Sequence, residues 1–134
     1  MKYLGIDYGL KKIGIAIGDD TSGMAMPLEV LRVIEGVDVI EMIKNLVASE
    51  AIDAVVIGVP KSAGNFHNSK QLELTKKFIE ELEVIAEIPV HSIDESYTSV
   101  ESQRIQDEHG SDVSEDALAA MLILQAYFDQ QEKV

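Results

Sequence analysis

One six-residue stretch of this 134-residue chain restricts its fold more than any other. Residues 54–59 read Ala-Val-Val-Ile-Gly-Val and contain no polar side chain. A continuous run of mostly β-branched residues is typical of a strand buried on both faces, as in sheets covered by helices on each side. Apolar residues recur at helical spacing before it, at 39, 40, 43, 46 and 47, and again after it over residues 70–86. The run therefore predicts an α/β fold in which helices flank a central strand.

The first third of the chain predicts a three-stranded meander. Residues 3–8 and 13–19 are short, apolar, glycine-spaced runs joined by Gly9-Leu-Lys-Lys, a spacing that favours a β-hairpin. A third strand is predicted over residues 25–34, where Pro27 indicates an edge position or a bulge. The methionines of this region, Met24 and Met26, are interpreted as core or gap-filling residues.

The remaining segments complete the predicted order of elements. Residues 61–69 are polar and are interpreted as a loop, whereas residues 90–93 are predicted to form a short strand. Thr98 with Glu101, and Asp112 with Glu115, have the spacing of capping boxes at the starts of two final helices. The order β-β-β-α-β-α-β-α-α implies a mixed five-stranded sheet with helices on both faces.

Composition excludes several classes of protein. A hydrophobic content of 46% and a charged content of 26% are typical of globular chains, and the absence of cysteine excludes disulfides, thiolate metal sites and cysteine nucleophiles. The opening apolar stretch is interrupted at Asp7, which argues against a signal peptide. The longest nearly apolar run, residues 117–128, is far shorter than the about 20 residues that span a bilayer. We therefore predict one soluble, cytoplasmic domain over residues 1–134 with no membrane association.

Charge is distributed unevenly along the chain. The 11 Lys and Arg residues against 24 Asp and Glu give a net charge of −13, which argues against a general phosphate-binding surface. Residues 1–78 hold 9 basic and 10 acidic side chains, whereas residues 79–134 hold 2 and 14. The acidic half has two interpretations: a solvated helical surface, or a set of acids that converge and require a cation.

Three acidic positions stand out because they follow or interrupt apolar segments. Asp7 ends the first strand, at the edge where α/β sheets bind ligands, although it could also cap the hairpin turn. Asp94 and Glu95 follow the last strand, so that one of them points back to the sheet edge or both simply precede a capped helix. Asp116 lies on the helix face of Ala120, where a buried acid is costly unless paired or metal-bound; the alternative is a solvated first-turn position.

These positions together predict one oxygen-lined cluster built from the first strand, the last strand and the last helix. Oxygen ligands without His or Cys suit hard cations, so the expected ion is Mg²⁺ or Mn²⁺. Such ions can activate water and stabilise the leaving oxygen in phosphodiester cleavage. Lys11 and Lys12 flank the hairpin beside Asp7, where they could neutralise a nucleic-acid backbone or form a plain solvated turn.

Four motifs occur in a recognisable order along nearly all of the chain. They are the glycine-spaced hairpin of residues 4–19, the strand of residues 55–60 with Gly64, the Asp-Glu segment of residues 89–98, and the final helix of residues 116–127. In this order they resemble the YqgF proteins, also called RuvX, which are RuvC-like members of the RNase H-like fold. The Asp-Glu segment is similar to the family's DER-x-T motif, and the hairpin is the most specific of the four.

This resemblance implies a metal-dependent nuclease that trims the 5′ end of precursor 16S ribosomal RNA within a ribosomal precursor particle. By motif match, Asp7, Glu95 and Asp116 fall on the family's catalytic and metal-binding acids, with Asp94 as an auxiliary. An older interpretation of the family, by analogy with RuvC, is a Holliday-junction resolvase acting on branched DNA, which would require a homodimer rather than a monomer.

The chain departs from the family pattern at two places. Ser96 stands where the family has an arginine, and residues 110–115, usually basic, carry no positive charge. Substrate would then engage mainly the side of Lys11, Lys12, Lys61 and Lys70, or this member is weakly active. The missing basic loop also favours a separate hypothesis, a non-catalytic relative that binds a protein or ribosomal partner. An actin-like kinase, suggested by the glycines around Asp7, is disfavoured because such enzymes need two domains of this fold.

Overall fold

A computed structural model describes residues 1–59, 66–94 and 114–132 of the chain. This part of the chain forms five strands and three helices. In order they are β1 (Lys2–Asp7), β2 (Lys12–Asp19), β3 (Met24–Arg32), α1 (Val39–Ser49), β4 (Ala54–Val59), α2 (Phe66–Ala86), β5 (Val90–Asp94) and α3 (Glu115–Glu132).

The strands form one mixed sheet in the order β3-β2-β1-β4-β5. β1 pairs antiparallel with β2, and β2 pairs antiparallel with β3, whereas β1, β4 and β5 run parallel to one another. β4 has the bounds that its apolar run predicts, and its first five residues are buried. The predicted mixed five-stranded sheet is therefore confirmed.

Two apolar cores lie on opposite faces of this sheet. Leu4 and Ile6 of β1 pack into a core with α1 and α2, whereas Tyr3 packs into a second core with α3. Because successive side chains of a strand point to opposite faces, odd-numbered positions of β1 face α3 and even-numbered positions face α1 and α2. Helices cover both faces, as the sequence predicts.

The start of α1 shows how local sequence defines an element. Asp38 has an extended backbone, and its carboxylate accepts a hydrogen bond from the amide of Glu41 at 3.2 Å. This is the arrangement of an N-cap, which satisfies one of the amide groups left without an intrahelical partner at a helix start. Ile40 and Ile43 then turn toward the first core.

Strand β3 is an edge strand with an irregular register. Ile15 of β2 pairs with Glu29 and Ala16 pairs with Pro27, so Leu28 is an extra residue in a β-bulge. The prediction that Pro27 marks an edge strand or a bulge is therefore confirmed. The interpretation of Met24 and Met26 as core residues is wrong, because they are 64% and 62% exposed. They lie on the sheet edge opposite the α3 face, beyond the cover of α1 and α2.

Two further expectations concern the segments between elements. The polar stretch interpreted as a loop over residues 61–69 is wrong in part, because α2 begins at Phe66. Polar composition does not by itself distinguish a loop from the first turn of a helix, where polar residues are common. The helix predicted from Thr98 and the cap at Asp112 lie outside the described residues. No helix in the described part of the chain is long and apolar enough to cross a bilayer.

Candidate active site

Asp7 lies at the carboxyl end of β1, on the face covered by α3. It is half-buried, and its partner on the antiparallel neighbour is Gly14 of β2. Residues directly opposite each other in an antiparallel pair have Cα atoms about 4.5–5.5 Å apart and share a face of the sheet. The space beside Asp7 is therefore bounded on one side by a residue without a side chain.

The first turn of α3 occupies the space above Gly14. A Cβ atom added to Gly14 would overlap the main-chain carbonyl group of Asp116. A similar close approach occurs further along α3, where a Cβ atom on Gly5 would lie 2.9 Å from the carbonyl oxygen of Ala120. Glycine at these positions lets the helix lie directly against the sheet. The Asp116 main chain therefore contacts Gly14, which is the residue paired with Asp7 on the neighbouring strand.

Asp116 belongs to the first turn of α3, together with Glu115. Asp116 is half-buried and Glu115 is exposed, while Ala120 and Ile123 on the Asp116 face are buried. Both sequence interpretations of Asp116 hold in part: it is in the first turn, where the helix dipole favours an acid, and it is also on the inward face. An acid in this position is compatible with a bound cation.

Of the acidic pair Asp94 and Glu95, only Asp94, the last residue of β5, is among the described residues. Ile93 packs into the core under α3, and Asp94 pairs with Val59. By strand alternation, Asp94 is on the α1 and α2 face, opposite to Asp7, and it is exposed. Glu95 lies outside the described residues.

The donor set at this end of the sheet consists of carboxylates. Asp7 and Asp116 share one face of the sheet and supply only oxygen ligands, which fit a hard divalent cation and not a soft one. Among the described residues, no group of three or more His, Cys, Asp or Glu side chains is placed to hold a metal ion. Asp7 and the main chain of Asp116 thus lie at one end of the sheet and on one of its faces, and Glu95 lies outside the described residues.

Basic residues lie at the same end of the sheet. Lys12 is the first residue of β2, two positions before Gly14 on the α3 face, and it pairs with Arg32 of β3. Lys11 precedes it, and the Lys11 main-chain carbonyl accepts a hydrogen bond from the Val33 amide at 2.9 Å. These three side chains are exposed, as is Lys70 near the start of α2, whereas Lys61 lies outside the described residues. Arg32 was not among the predicted residues, since only the strand register places it beside Lys12.

The residue after Asp7 is held from the opposite face of the sheet. The ring of Tyr8 lies against that of Phe78 with 4.5 Å between centroids, and the Gln71 side-chain amide donates a hydrogen bond to the Tyr8 carbonyl at 3.1 Å. Burial raises the pKa of the Tyr8 hydroxyl, and the negative charge of Glu81 raises it further. Sequence reasoning did not select Gln71, because no pattern marks a helix residue that reaches a strand end.

Comparison with solved structures identifies the class of fold. RuvC of Thermus thermophilus in complex with a Holliday junction superposes with a TM-score of 0.67 at 13% identity, covering 98% of this chain and 96% of that chain. The fowlpox virus resolvase bound to Holliday junction DNA gives 0.56 at 15% identity, covering 98% and 99%. The fold is therefore RuvC-like, within the RNase H-like class.

Sequence comparison identifies the family within this class. The family described as "RuvX: Holliday junction resolvase" matches residues 1–130, and the chain belongs to it. A relative from Caldanaerobacter subterraneus is 36% identical over 139 residues, covering 98% of this chain and 99% of the relative. One from Streptococcus equi subsp. equi is 36% identical over 141 residues, covering 96% and 98%. Both relatives carry the name "Putative pre-16S rRNA nuclease".

Proposed function

We propose that this chain, acting as one cytoplasmic domain, is a divalent-metal-dependent nuclease that trims precursor 16S ribosomal RNA at its 5′ end within a precursor particle. The observation that carries the proposal is the contact of Asp116 with Gly14, since Gly14 is the direct strand partner of Asp7. Two acidic residues that are 109 positions apart in the sequence thus have their main chains at one end of the sheet, which supports a shared site. The names of the full-length relatives support the choice of substrate.

In this proposal Asp7, Asp116 and Glu95 hold Mg²⁺ or Mn²⁺. Glu95 is chosen over Asp94 because Glu95 matches the family motif, and because Asp94 lies on the sheet face opposite to Asp7. When bound, the ions would supply water activation and charge stabilisation at the leaving oxygen. The protein's own part is to hold the carboxylate oxygens in place, and Gly14 keeps the space between β2 and α3 small enough for Asp7 and Asp116 to act together.

The proposed path of the nucleic acid follows the basic residues at this end of the sheet. Lys12 and Arg32 lie on the Asp7 face, and Lys11 and Lys70 extend the positive charge around the strand ends. Lys61 is proposed as a further contact. Phosphate contacts of this kind orient a nucleic acid without reading its sequence. The excess of acidic residues over positions 79–134 would repel a phosphate backbone, so the substrate is expected to approach from the β2 and β3 side.

Cleavage of precursor 16S RNA in Mg²⁺ or Mn²⁺ tests the proposal. Asp7→Asn should lower the single-turnover rate by about 100-fold or more, because a catalytic cation supplies several kcal/mol of transition-state stabilisation. Asp53→Asn is the matched control. The Asp53 carboxylate accepts a hydrogen bond from the Lys2 amide of β1 at 2.8 Å, but Asp53 precedes β4 and lies at the opposite end of the sheet from Asp7. Equal rates for the wild type and Asp7→Asn would remove Asp7 from the mechanism.

The family description favours a second candidate, a junction resolvase. Four-way DNA junctions in the same assay separate the two: cleavage of junctions in preference to RNA, by a chain that light scattering shows to be a dimer, would favour the resolvase. A non-catalytic binding role is the third candidate. Calorimetry that detects no Mg²⁺ or Mn²⁺ binding at millimolar concentration would support it over both nucleases.

A further inference from the structure

Gln71 makes a long-range contact at the strand end that carries Asp7. Its side-chain amide donates a hydrogen bond to the main-chain carbonyl of Tyr8 at 3.1 Å, across 63 positions of sequence and in a partly buried setting. Tyr8 follows the last pair of the β1–β2 ladder, Asp7 with Gly14. The ladder thus fixes the chain up to Asp7, and α2 holds the residue that follows.

The helix residues that hold Tyr8 lie on one face of α2. Gln71, Thr75 and Phe78 are spaced by four and three positions, which places them in a row along a helix. Thr75 is 1% exposed, and its hydroxyl donates a hydrogen bond to the main-chain carbonyl oxygen of Gln71 at 2.8 Å. Phe78 packs on the Tyr8 ring. Tyr8 is therefore held at its main chain and at its ring by a single rigid element.

The two faces of the sheet thus constrain the same strand end. On the α3 side, the Asp116 backbone lies on Gly14 beside Asp7; on the α2 side, Gln71 and Phe78 hold Tyr8. The direction in which the Asp7 carboxylate points depends on the backbone at residues 7 and 8. A free Tyr8 carbonyl would let this backbone rotate once it leaves the ladder.

We propose that Gln71 is a positioning residue for Asp7: its hydrogen bond to Tyr8 holds the end of β1 in the orientation that aims the Asp7 carboxylate at the metal. This inference rests on the proposed function. Gln71 itself touches neither the metal nor the RNA. Outer groups that orient metal ligands typically change metal affinity or activity by about 10–100-fold when they are removed.

Gln125 provides a matched control elsewhere in the molecule. It is also a partly buried helix glutamine that is hydrogen-bonded to the main chain of a distant segment. Its side-chain oxygen accepts a hydrogen bond from the Ala25 amide at 3.1 Å, and its side-chain nitrogen donates one to the Gly23 carbonyl at 2.8 Å. Gly23 and Ala25 lie at the opposite end of the sheet from Asp7. Gln71→Met and Gln125→Met remove the same chemical group and preserve side-chain length and helix propensity.

The test measures Mn²⁺ affinity by calorimetry and single-turnover RNA cleavage for both variants and the wild type. Gln71→Met should weaken Mn²⁺ binding about tenfold and lower the cleavage rate constant about tenfold, with KM within about twofold. Gln125→Met should lower Tm and leave both functional constants unchanged. Gln71→Glu, which keeps the shape but has no donor when ionised, should behave like Gln71→Met and provides a second variant.

The outcomes separate the two proposals. Wild-type affinity and rate in folded Gln71→Met or Gln71→Glu, with Asp7→Asn inactive, would overturn the positioning role and leave the nuclease standing. An equal functional loss in Gln125→Met would also overturn it, because the effect would then follow general destabilisation. A wild type that binds no Mn²⁺ would overturn both proposals.

Discussion

The two ends of the β1–α3 pair are held by different kinds of contact. At the end near Asp7, called the site end, a helix backbone lies on Gly14 and two carboxylates are half-buried. At the opposite end, called the far end, aromatic rings meet: the Tyr3 ring lies 5.6 Å from that of Tyr127 and 5.4 Å from that of Phe128. One end is built from small and charged groups, and the other from large apolar ones.

This difference indicates where stability and where function reside. Aromatic pairs bury large areas and contribute beyond their area, so the far end can stabilise the position of α3 along the sheet. At the site end, the proposed function requires carboxylates of like charge to share a cation, which would offset their mutual repulsion. We therefore expect substitutions at the far end to change the free energy of unfolding, and those at the site end to change metal binding as well.

The largest expected contrast comes from adding one methyl group at either end of α3. Gly14→Ala would overlap the Asp116 carbonyl, and Gly18→Ala would bring a Cβ atom within 2.7 Å of the Met24 carbonyl oxygen and 2.8 Å of the Phe128 ring. Each should cost about 1–3 kcal/mol in the free energy of unfolding, measured with urea, because close-packed sites cannot absorb the added atom. Only Gly14→Ala should also weaken Mn²⁺ binding, by about tenfold or more.

The pair of variants can break the comparison in a defined way. Equal Mn²⁺ affinity in Gly14→Ala and the wild type would show that the α3 contact does not set the metal site. A matching loss of Mn²⁺ affinity in Gly18→Ala would show that both ends of the helix act as one unit.

A smaller effect is expected from the basic residues of the site end. Lys12→Ala and Arg32→Ala should each weaken binding of single-stranded RNA and reduce the slope of log K against log salt by about 0.7, the value for one lost contact to a single-stranded phosphate backbone. Lys44→Ala, on α1, is the control. Filter binding between low and moderate salt measures the slopes, and an unchanged slope for Arg32→Ala would exclude it from the proposed path.

The smallest effect concerns a carboxylate of the far end. The Thr21 amide donates to the Asp19 carboxylate at 2.7 Å, and this hydrogen bond lowers the pKa of Asp19 below its ordinary value of 3.8. Because the folded-state pKa is depressed, the contribution to stability is present above about pH 4 and is lost as pH falls through the folded-state pKa. The Asp19→Asn variant has no ionisable side chain at this position and therefore serves as the reference.

Urea unfolding between pH 3 and 7 measures this effect. The difference in unfolding free energy between the wild type and Asp19→Asn should be constant above about pH 5 and should narrow below about pH 4. A difference that stays the same down to pH 3 would contradict the assignment. Asp19 is solvated, so the change in stability is expected to be small and RNA cleavage at neutral pH should be unaffected.

Elements with strong local patterns could be predicted from the sequence. The bounds of β4 are those of its apolar run, and Asp7 ends β1 within one residue of the predicted strand end. Both depend on neighbouring residues alone, since β-branched runs and glycine spacing act locally. The family resemblance added the RNase H-like fold, which local pattern does not determine.

The features that could not be predicted depend on contacts between distant segments. Met24 and Met26 are apolar by composition, but whether a helix covers them is decided by where α1 and α2 pack. Arg32 meets Lys12 only through the register of β2 with β3, which a bulge shifts by one residue. The roles of Gly14 and Gln71 likewise follow from how close α3 and α2 come to the end of β1.

The irregular edge of β3 has a consequence for the behaviour of the protein at high concentration. A long strand with exposed methionines would invite pairing with a neighbouring molecule, and repeated pairing produces insoluble aggregates. Pro27 has no amide hydrogen to offer, and the bulge at Leu28 twists the strand out of line with any incoming partner. Replacing this pair with residues that straighten the strand would therefore expose a template for polymerisation at the very edge that the native sequence keeps irregular.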